Sequence, residues 1–329
     1  MRASFPKLAV SVGCPSGIGP EVSVVAAAEL CGRQGILLVG DHGAVLRAAR
    51  ARGVANVVQR VSAPTFVCRR VSVWQPTATL AKSEMVLGRP SRRGGAAQLA
   101  WVDAACDLVV QGEADALVTG PVSKDAIASS GAPGSRHFLG HTEHLQRRLH
   151  ARRAVMAFVS ERLTTALVTT HLPLREVPRH ITAAAVARAT ILLGELMSTR
   201  VARPRIAVAA LNPHAGEHGR IGTEESRIAM GIRVARKRLR RARVEGPIPA
   251  ETAFRLAVGG AFDGVVAMYH DQATIPMKLI GFGEAVNVTL GLPIVRTSVD
   301  HGTAYDRAAR FDADASGMRA AMTLATELA

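Results

Sequence analysis

Aromatic residues make up only 4% of this 329-residue chain, and lysine is almost missing from its basic residues. So few aromatics leave few platforms on which nucleic-acid bases could stack. Cys14, Cys31, Cys68 and Cys106 include no C-x-x-C pair, so neither a cysteine zinc knuckle nor a disulfide framework has support, and a reducing cytosol is the expected compartment. No apolar run approaches the ~20 residues of a membrane helix. The apolar stretch before Cys14-Pro15 is too short and too soon broken for a signal peptide. The expectation is a cytoplasmic chain without a membrane partner.

What is present is positive charge and aliphatic bulk. Lys+Arg total 41 against 26 Asp+Glu, a formal net charge of +15, and 48% of residues are hydrophobic. That composition excludes wholesale disorder. The length suggests about two domains. The densest basic cluster runs from Arg233 to Arg243, but Ile228, Ile232, Ala235, Leu239 and Ala242 trace one helical stripe through it. Its charges are therefore expected on the solvated side of an amphipathic helix, with no nucleic-acid partner. A basic surface also attracts anionic metabolites.

Short apolar runs read as strands at 8–13, 36–40, 116–119, 154–160, 166–170, 206–211 and 264–269. Helical periodicity covers 21–30, 96–110, 181–197, 224–241 and 250–258. Strands apolar throughout imply a sheet covered on both faces, and the β-then-α order implies a doubly wound α/β architecture. Polar residues follow the strands directly: Thr119-Gly120-Pro121, His171, Asn212-Pro213-His214 and His270-Asp271-Gln272. Ligands of open α/β sheets bind at such strand ends. His42, His144, His150, His180 and His218 lie in polar or helical contexts. By contrast His171, His214 and His270 each stand at or just past a strand end. Either these three imidazoles converge on a metal with an open position, or they serve as caps and turn partners. Nitrogen ligands favour zinc, cobalt or nickel over magnesium. The loop Gly13–Glu21, GCPSGIGPE, lacks both the third glycine of the dinucleotide fingerprint and the Lys-Ser/Thr of a Walker loop. It is either an anion cradle at a helix start or a tight β-to-α turn.

Taken together, GCPSGIGPE (13–21), TGPVSK (119–124), GHTE (140–143), TTHLPLR (169–175), LNPHAGE (211–217), MYHDQ (268–272), GFGEAVNVTLG (281–291) and RTSVDHGT (296–303) carry a resemblance. The chain resembles the 4-hydroxythreonine-4-phosphate dehydrogenase family of vitamin B6 (pyridoxal phosphate) biosynthesis, from near residue 8 to beyond 320. The resemblance implies the isocitrate/isopropylmalate dehydrogenase-like fold, two α/β/α lobes with a central cleft. The seams are expected near 1–130 with 300–329 for one lobe, and 131–299 for the other. It also implies a homodimer whose active site is shared across the interface. His171 and His214, with His270 from the other subunit, would hold one divalent ion (Zn, Co or Mg). His141, Thr142, Lys278, Asn287 and Arg296 would bind substrate, and Gly302, Thr303 and Asp306 the cofactor NAD, or NADP.

The implied reaction oxidises 4-phosphooxy-L-threonine at C3 to 2-amino-3-oxo-4-phosphooxybutanoate, which loses CO2 to give 3-amino-2-oxopropyl phosphate. The general base is left open between Lys278 and a hydroxide held by the metal. Relatives that oxidise D-threonate or D-erythronate 4-phosphate, or aromatic cis-diols, are the alternative. A three-His metallohydrolase and a basic nucleic-acid-binding protein stand further off. Departures from the family pattern are Cys14 and Ser16 in the first loop, Ser123, Ala273, and the run Ala304–Arg310. Arg307 and Arg310 stand where the family has no guanidinium, which suggests tolerance of the NADP 2′-phosphate, unless both are simply surface residues.

Overall fold

The computed structural model describes residues 5–151, 154–280, 283 and 285–329; Met1–Ser4, and Gly281, Phe282 and Glu284 of the GFGE segment, lie outside them. The chain forms two compact units, one from 1–151 with 292–329, the other from 152–291.

The first unit begins β1 (Lys7–Ser11), α1 (Gly19–Leu30), β2 (Gly35–Val39), α2 (His42–Ala51), β3 (Val58–Val61), β4 (Val71–Trp74), α3 (Arg92–Val110), β5 (Ala116–Thr119), α4 (Lys124–Ala128) and α5 (His141–Arg148). The second unit holds β6 (Val155–Val159), β7 (Thr164–Leu167), α6 (Val177–His180), α7 (Ala183–Ser198), β8 (Arg205–Ala209), α8 (Glu224–Arg238), β9 (Arg243–Ile248), α9 (Ala250–Val258), β10 (Gly264–Ala267), α10 (His270–Ile280) and β11 (Val286–Leu290). The chain then returns to the first unit as β12 (Val295–Val299) and α11 (Ser316–Leu328).

In the first unit the strand order is β3-β4-β2-β1-β5-β12, and every adjacent pair is parallel. β2 and β5 are buried at every position, as strands covered on both faces must be. The seams drawn from sequence, 130/131 and 299/300, differ from the observed units for physical reasons. Phe138 packs with Leu99 and Ile127, which keeps the segment after 130 with α3 and α4. β12 lies beside β5 in parallel register, so the chain has returned before residue 300.

In the second unit the order is β11-β6-β7-β10-β8-β9. Here the doubly wound expectation needs amendment, because β6 runs antiparallel to both β7 and β11, while β10 pairs in parallel with β7 and β8. The turn at Ser160–Leu163 is too short for a crossover, so β7 reverses direction; Ser160 Oγ accepts from the Leu163 amide at 3.1 Å. The basic helix behaves as its stripe requires. Ile228, Ile232 and Ala235 are buried, while Arg233, Arg236, Lys237 and Arg238 are exposed. α8 lies close on α7 because Gly231 has no side chain: a Cβ there would sit 2.7 Å from Val186 Cβ. Among the described residues no single helix is long and apolar enough to cross a membrane.

Candidate active site

In the first unit a cation on β12 meets the last residue of β5. Arg296, on β12 opposite Leu117, is only 3% exposed and donates from Nη2 to Thr119 Oγ1 at 2.6 Å. Burial lowers its pKa to about 10, opposed by the carboxylate of Glu143, so the guanidinium stays charged at neutral pH. Ser298 Oγ reaches the Thr119 carbonyl at 3.1 Å, which fixes the strand end itself.

His141 opens α5. The residue is half-buried, but its Nε2 is fully enclosed and has no hydrogen-bond partner. Burial, followed by the influence of nearby Arg296, His144 and Lys124, holds its pKa well below the ordinary value, so the ring is neutral. Its placement follows from the packing of α5. The Phe138 ring meets His141 edge-on at 6.0 Å, and α5 is clamped to α3 through His144 Nε2–Asp103 Oδ1 at 2.6 Å and Arg148–Asp107 at 2.6 Å. Thr142 and Glu143 occupy the same first turn. An enclosed imidazole nitrogen near a buried guanidinium is a pair of groups able to donate to an anionic oxygen. Thr119 was singled out from sequence only as part of a polar strand end, and Lys124 only within its motif.

The glycine-rich loop makes a tight turn from β1 into α1. Gly13 has φ +77°, and a Cβ there would meet the Pro121 carbonyl oxygen at 2.2 Å. The amides of Cys14, Gly17 and Ile18 already donate to Pro121, Cys14 and Thr303 carbonyls at 2.8–3.1 Å, so none of the three points at a ligand. Of the departures, Ser123 caps α4 through Ala126 N at 3.2 Å. Cys14 Sγ lies 3.5 Å from Tyr305 Oη. Burial raises the pKa of both groups, Tyr305 to about 12. Thr303 is tied to the first loop by its carbonyl, whereas Gly302 and Asp306 are exposed and no atom stands within 4 Å of a Cβ built on Gly302. Arg307 pairs with Asp312 at 3.2 Å; Arg310 is exposed.

In the second unit, the ends of β7, β8 and β10 come together. Gln272 joins two of them, accepting from Met268 N at 2.6 Å and donating to the Ala210 carbonyl at 2.9 Å. Thr169 Oγ1 donates to the Met268 carbonyl at 2.7 Å. These contacts bring His171, just past β7, beside His270 at the start of α10; their ring centroids are 5.6 Å apart. His270 Nδ1 lies 2.7 Å from Asp271 Oδ1, which leaves Nε2 to face outward chemistry. Ala273 is buried inside the right-handed helix α10, so the backbone freedom of the family's glycine is not needed there.

His214 sits in an unusual turn. His214, Ala215, Gly216, Glu217 and His218 all have left-handed backbone angles, φ from 45° to 79°. For a residue with a Cβ this conformation costs about 1–2 kcal/mol, so the segment needs external support. Among the described residues, no group of three or more His, Cys, Asp or Glu side chains is close enough to hold a metal within this one chain. The donors of His171, His214 and His270 nonetheless suit a borderline divalent ion by chemistry. Lys278 is exposed on α10. Asn287, on β11, has a buried Oδ1 without a hydrogen-bond partner.

The family-model match and the curated relatives point to one family. Residues 33–325 match the family model described as pyridoxal phosphate biosynthetic protein PdxA. A 4-hydroxythreonine-4-phosphate dehydrogenase from Geobacter metallireducens is 41% identical, covering 100% of this chain and 97% of its own. The crystal structure of 4-hydroxythreonine-4-phosphate dehydrogenase from Klebsiella pneumoniae superposes with a TM-score of 0.81 at 32% identity over 99% of each chain. A terephthalate 1,2-cis-dihydrodiol dehydrogenase from Burkholderia xenovorans reaches 0.68 at 29% identity, over 98% of each chain. The fold, the ordered motifs and this full-length likeness lead to one conclusion: the chain belongs to the pyridoxal phosphate biosynthetic protein PdxA family.

Proposed function

We propose that this chain oxidises 4-phosphooxy-L-threonine at its C3 hydroxyl with NAD+. Hydride leaves C3 for the nicotinamide and the hydroxyl proton passes to a base, giving 2-amino-3-oxo-4-phosphooxybutanoate. Loss of CO2 from that 3-oxo acid yields 3-amino-2-oxopropyl phosphate. The observation that carries this reading is the buried guanidinium of Arg296 near the enclosed, unpartnered Nε2 of neutral His141, two groups suited to an anionic phosphorylated substrate. Thr142 and Asn287 supply neutral polar contacts, and exposed Lys278 is a further substrate-binding residue whose free amine is the candidate base. A divalent ion held by His171, His214 and a second copy's His270 would lower the pKa of the substrate hydroxyl and polarise the developing ketone. The nicotinamide accepts the hydride, and Gly302, Thr303 and Asp306 are the residues assigned to hold its carrier.

The test is NADH absorbance with 4-phosphooxy-L-threonine, with and without a chelator. Turnover that survives both metal removal and His214→Ala would sink the metal role. Turnover only with D-threonate 4-phosphate, or with an aromatic cis-diol, would move the assignment within the family. The shared site has its own test. Mixed His214→Ala and His270→Ala proteins, each inactive alone, should regain activity, because one site of each hybrid dimer has all three histidines. Cytoplasmic location belongs to the same reading. For cofactor choice, Arg307→Ala/Arg310→Ala is expected to lower NADP use relative to NAD; an unchanged ratio removes that role.

A further inference from the structure

The left-handed turn at 214–218 has one obvious support. Glu225, in the first turn of α8, accepts from Leu211 N at 3.1 Å and Asn212 N at 2.8 Å through a single oxygen, Oε1. Its Oε2 accepts from Asn212 Nδ2 at 3.0 Å. The same amide nitrogen donates to Glu224 Oε2 at 2.8 Å, so Asn212 is held between two carboxylates. Those carboxylates stand at the N-terminus of α8, where the helix dipole favours negative charge. Glu225 also packs against the turn itself, since a Cβ on Gly216 would lie 2.7 Å from its Oε2. Gly222 closes the far end of the loop, where a Cβ would lie 2.2 Å from Asn212 Nδ2. A cavity of about 590 Å3 beside the turn is lined by His214, Glu217, His218, Thr223 and Glu225, so the imidazole and its support share one wall.

We propose that Glu225 is a positioning residue for His214: it stitches the end of β8 to the start of α8 and thereby keeps the left-handed turn, and the imidazole it carries, in place. The inference rests on the reading of His214 as a metal ligand. Glu225 is not assigned any contact with metal or substrate. Its effect passes through the backbone of 211–216.

The experiment is a Co2+ titration of the full chain, followed by visible absorption and by competition with a chromophoric chelator. Wild type is compared with Glu225→Ala, Glu225→Gln, His214→Ala and the double variant Glu225→Ala/His214→Ala. Glu225→Ala should weaken Co2+ binding by about 10–100-fold, the range typical of outer-shell partners. Glu225→Gln should lose less, because its amide oxygen still accepts from Leu211 and Asn212. The double variant should bind no more weakly than His214→Ala, since the two act on one coordinate. Hydrogen exchange over 213–222 should quicken in Glu225→Ala. If Glu225→Ala does not fold, Glu225→Gln and its double variant carry the same comparison. Wild-type affinity in the Glu225 variants, or additive losses in the double variant, would overturn the positioning role. Wild-type affinity in His214→Ala would instead overturn the metal reading.

Discussion

Arg296 and Thr119 are joined by a 2.6 Å hydrogen bond across 177 residues of sequence, so the cation on β12 is aimed by the last residue of β5. Thr119→Val keeps the shape and removes the acceptor. A hydrogen bond to a charged group is worth about 1.5–3 kcal/mol. The expected outcome is a lower melting temperature together with a raised KM for the phosphorylated substrate. Arg296→Lys should be worse for KM, by tenfold or more, because a point charge does not replace a planar two-pronged donor. Steady-state kinetics and thermal melts on the two variants check both statements.

The neutral state of His141 has a consequence for acid stability. Its folded pKa is depressed by burial and then by Arg296, His144 and Lys124. As pH falls below about 6.5, the unfolded chain takes up this proton first. The contribution is therefore fully present above that pH and is lost progressively below it. His141→Gln removes the titration. The drop in melting temperature between pH 7.5 and pH 5.5 should be smaller in this variant than in wild type.

Thiol reactivity should divide by burial. Cys68 is exposed, while burial raises the pKa of Cys14 and Cys31 and pushes Cys106 up to about 11. Brief treatment with iodoacetamide at pH 8 should label Cys68 alone in the folded protein. Peptide mass spectrometry reads the result, and early labelling of Cys14 would contradict its enclosure beside Tyr305.

The left-handed turn predicts opposite effects at two adjacent positions. Ala215 has φ 54°, so Ala215→Gly should relieve strain and stabilise the protein by about 0.5–1 kcal/mol. Gly216→Ala should destabilise it, since the new Cβ meets Glu225 Oε2. Chemical denaturation of the two variants checks the signs.

Much of this architecture could be read from the sequence, for an identifiable reason. β1, β2, β5, β8 and β10 are short runs of buried aliphatic residues, and such runs are visible without a structure. β12 does not read as an apolar run because it buries the polar residues Arg296, Thr297 and Ser298, which make hydrogen bonds to β5 and α11. β9 hid behind its Gly-Pro pair, and α10 behind the internal Pro276. The strand-end rule points to Thr119 and to His171, His214 and His270, which follow β7, β8 and β10 in the fold. It did not reveal Glu225, whose partners are backbone amides 13 and 14 residues away. The left-handed turn was also invisible, because four of its five residues are types that rarely adopt such angles.

The return of the chain from 291 into β12 bears on how the protein is made. A ribosome completes the second unit in one continuous stretch, 152–291, while the first must wait for β12 and α11. At about 5–20 residues per second that wait is on the order of 10 s. Throughout it β5 is an open parallel edge, with β1 on one side and nothing yet on the other. Open edges invite pairing with foreign strands. The nascent chain is therefore exposed to misassembly from the time β5 is made until β12 has been translated.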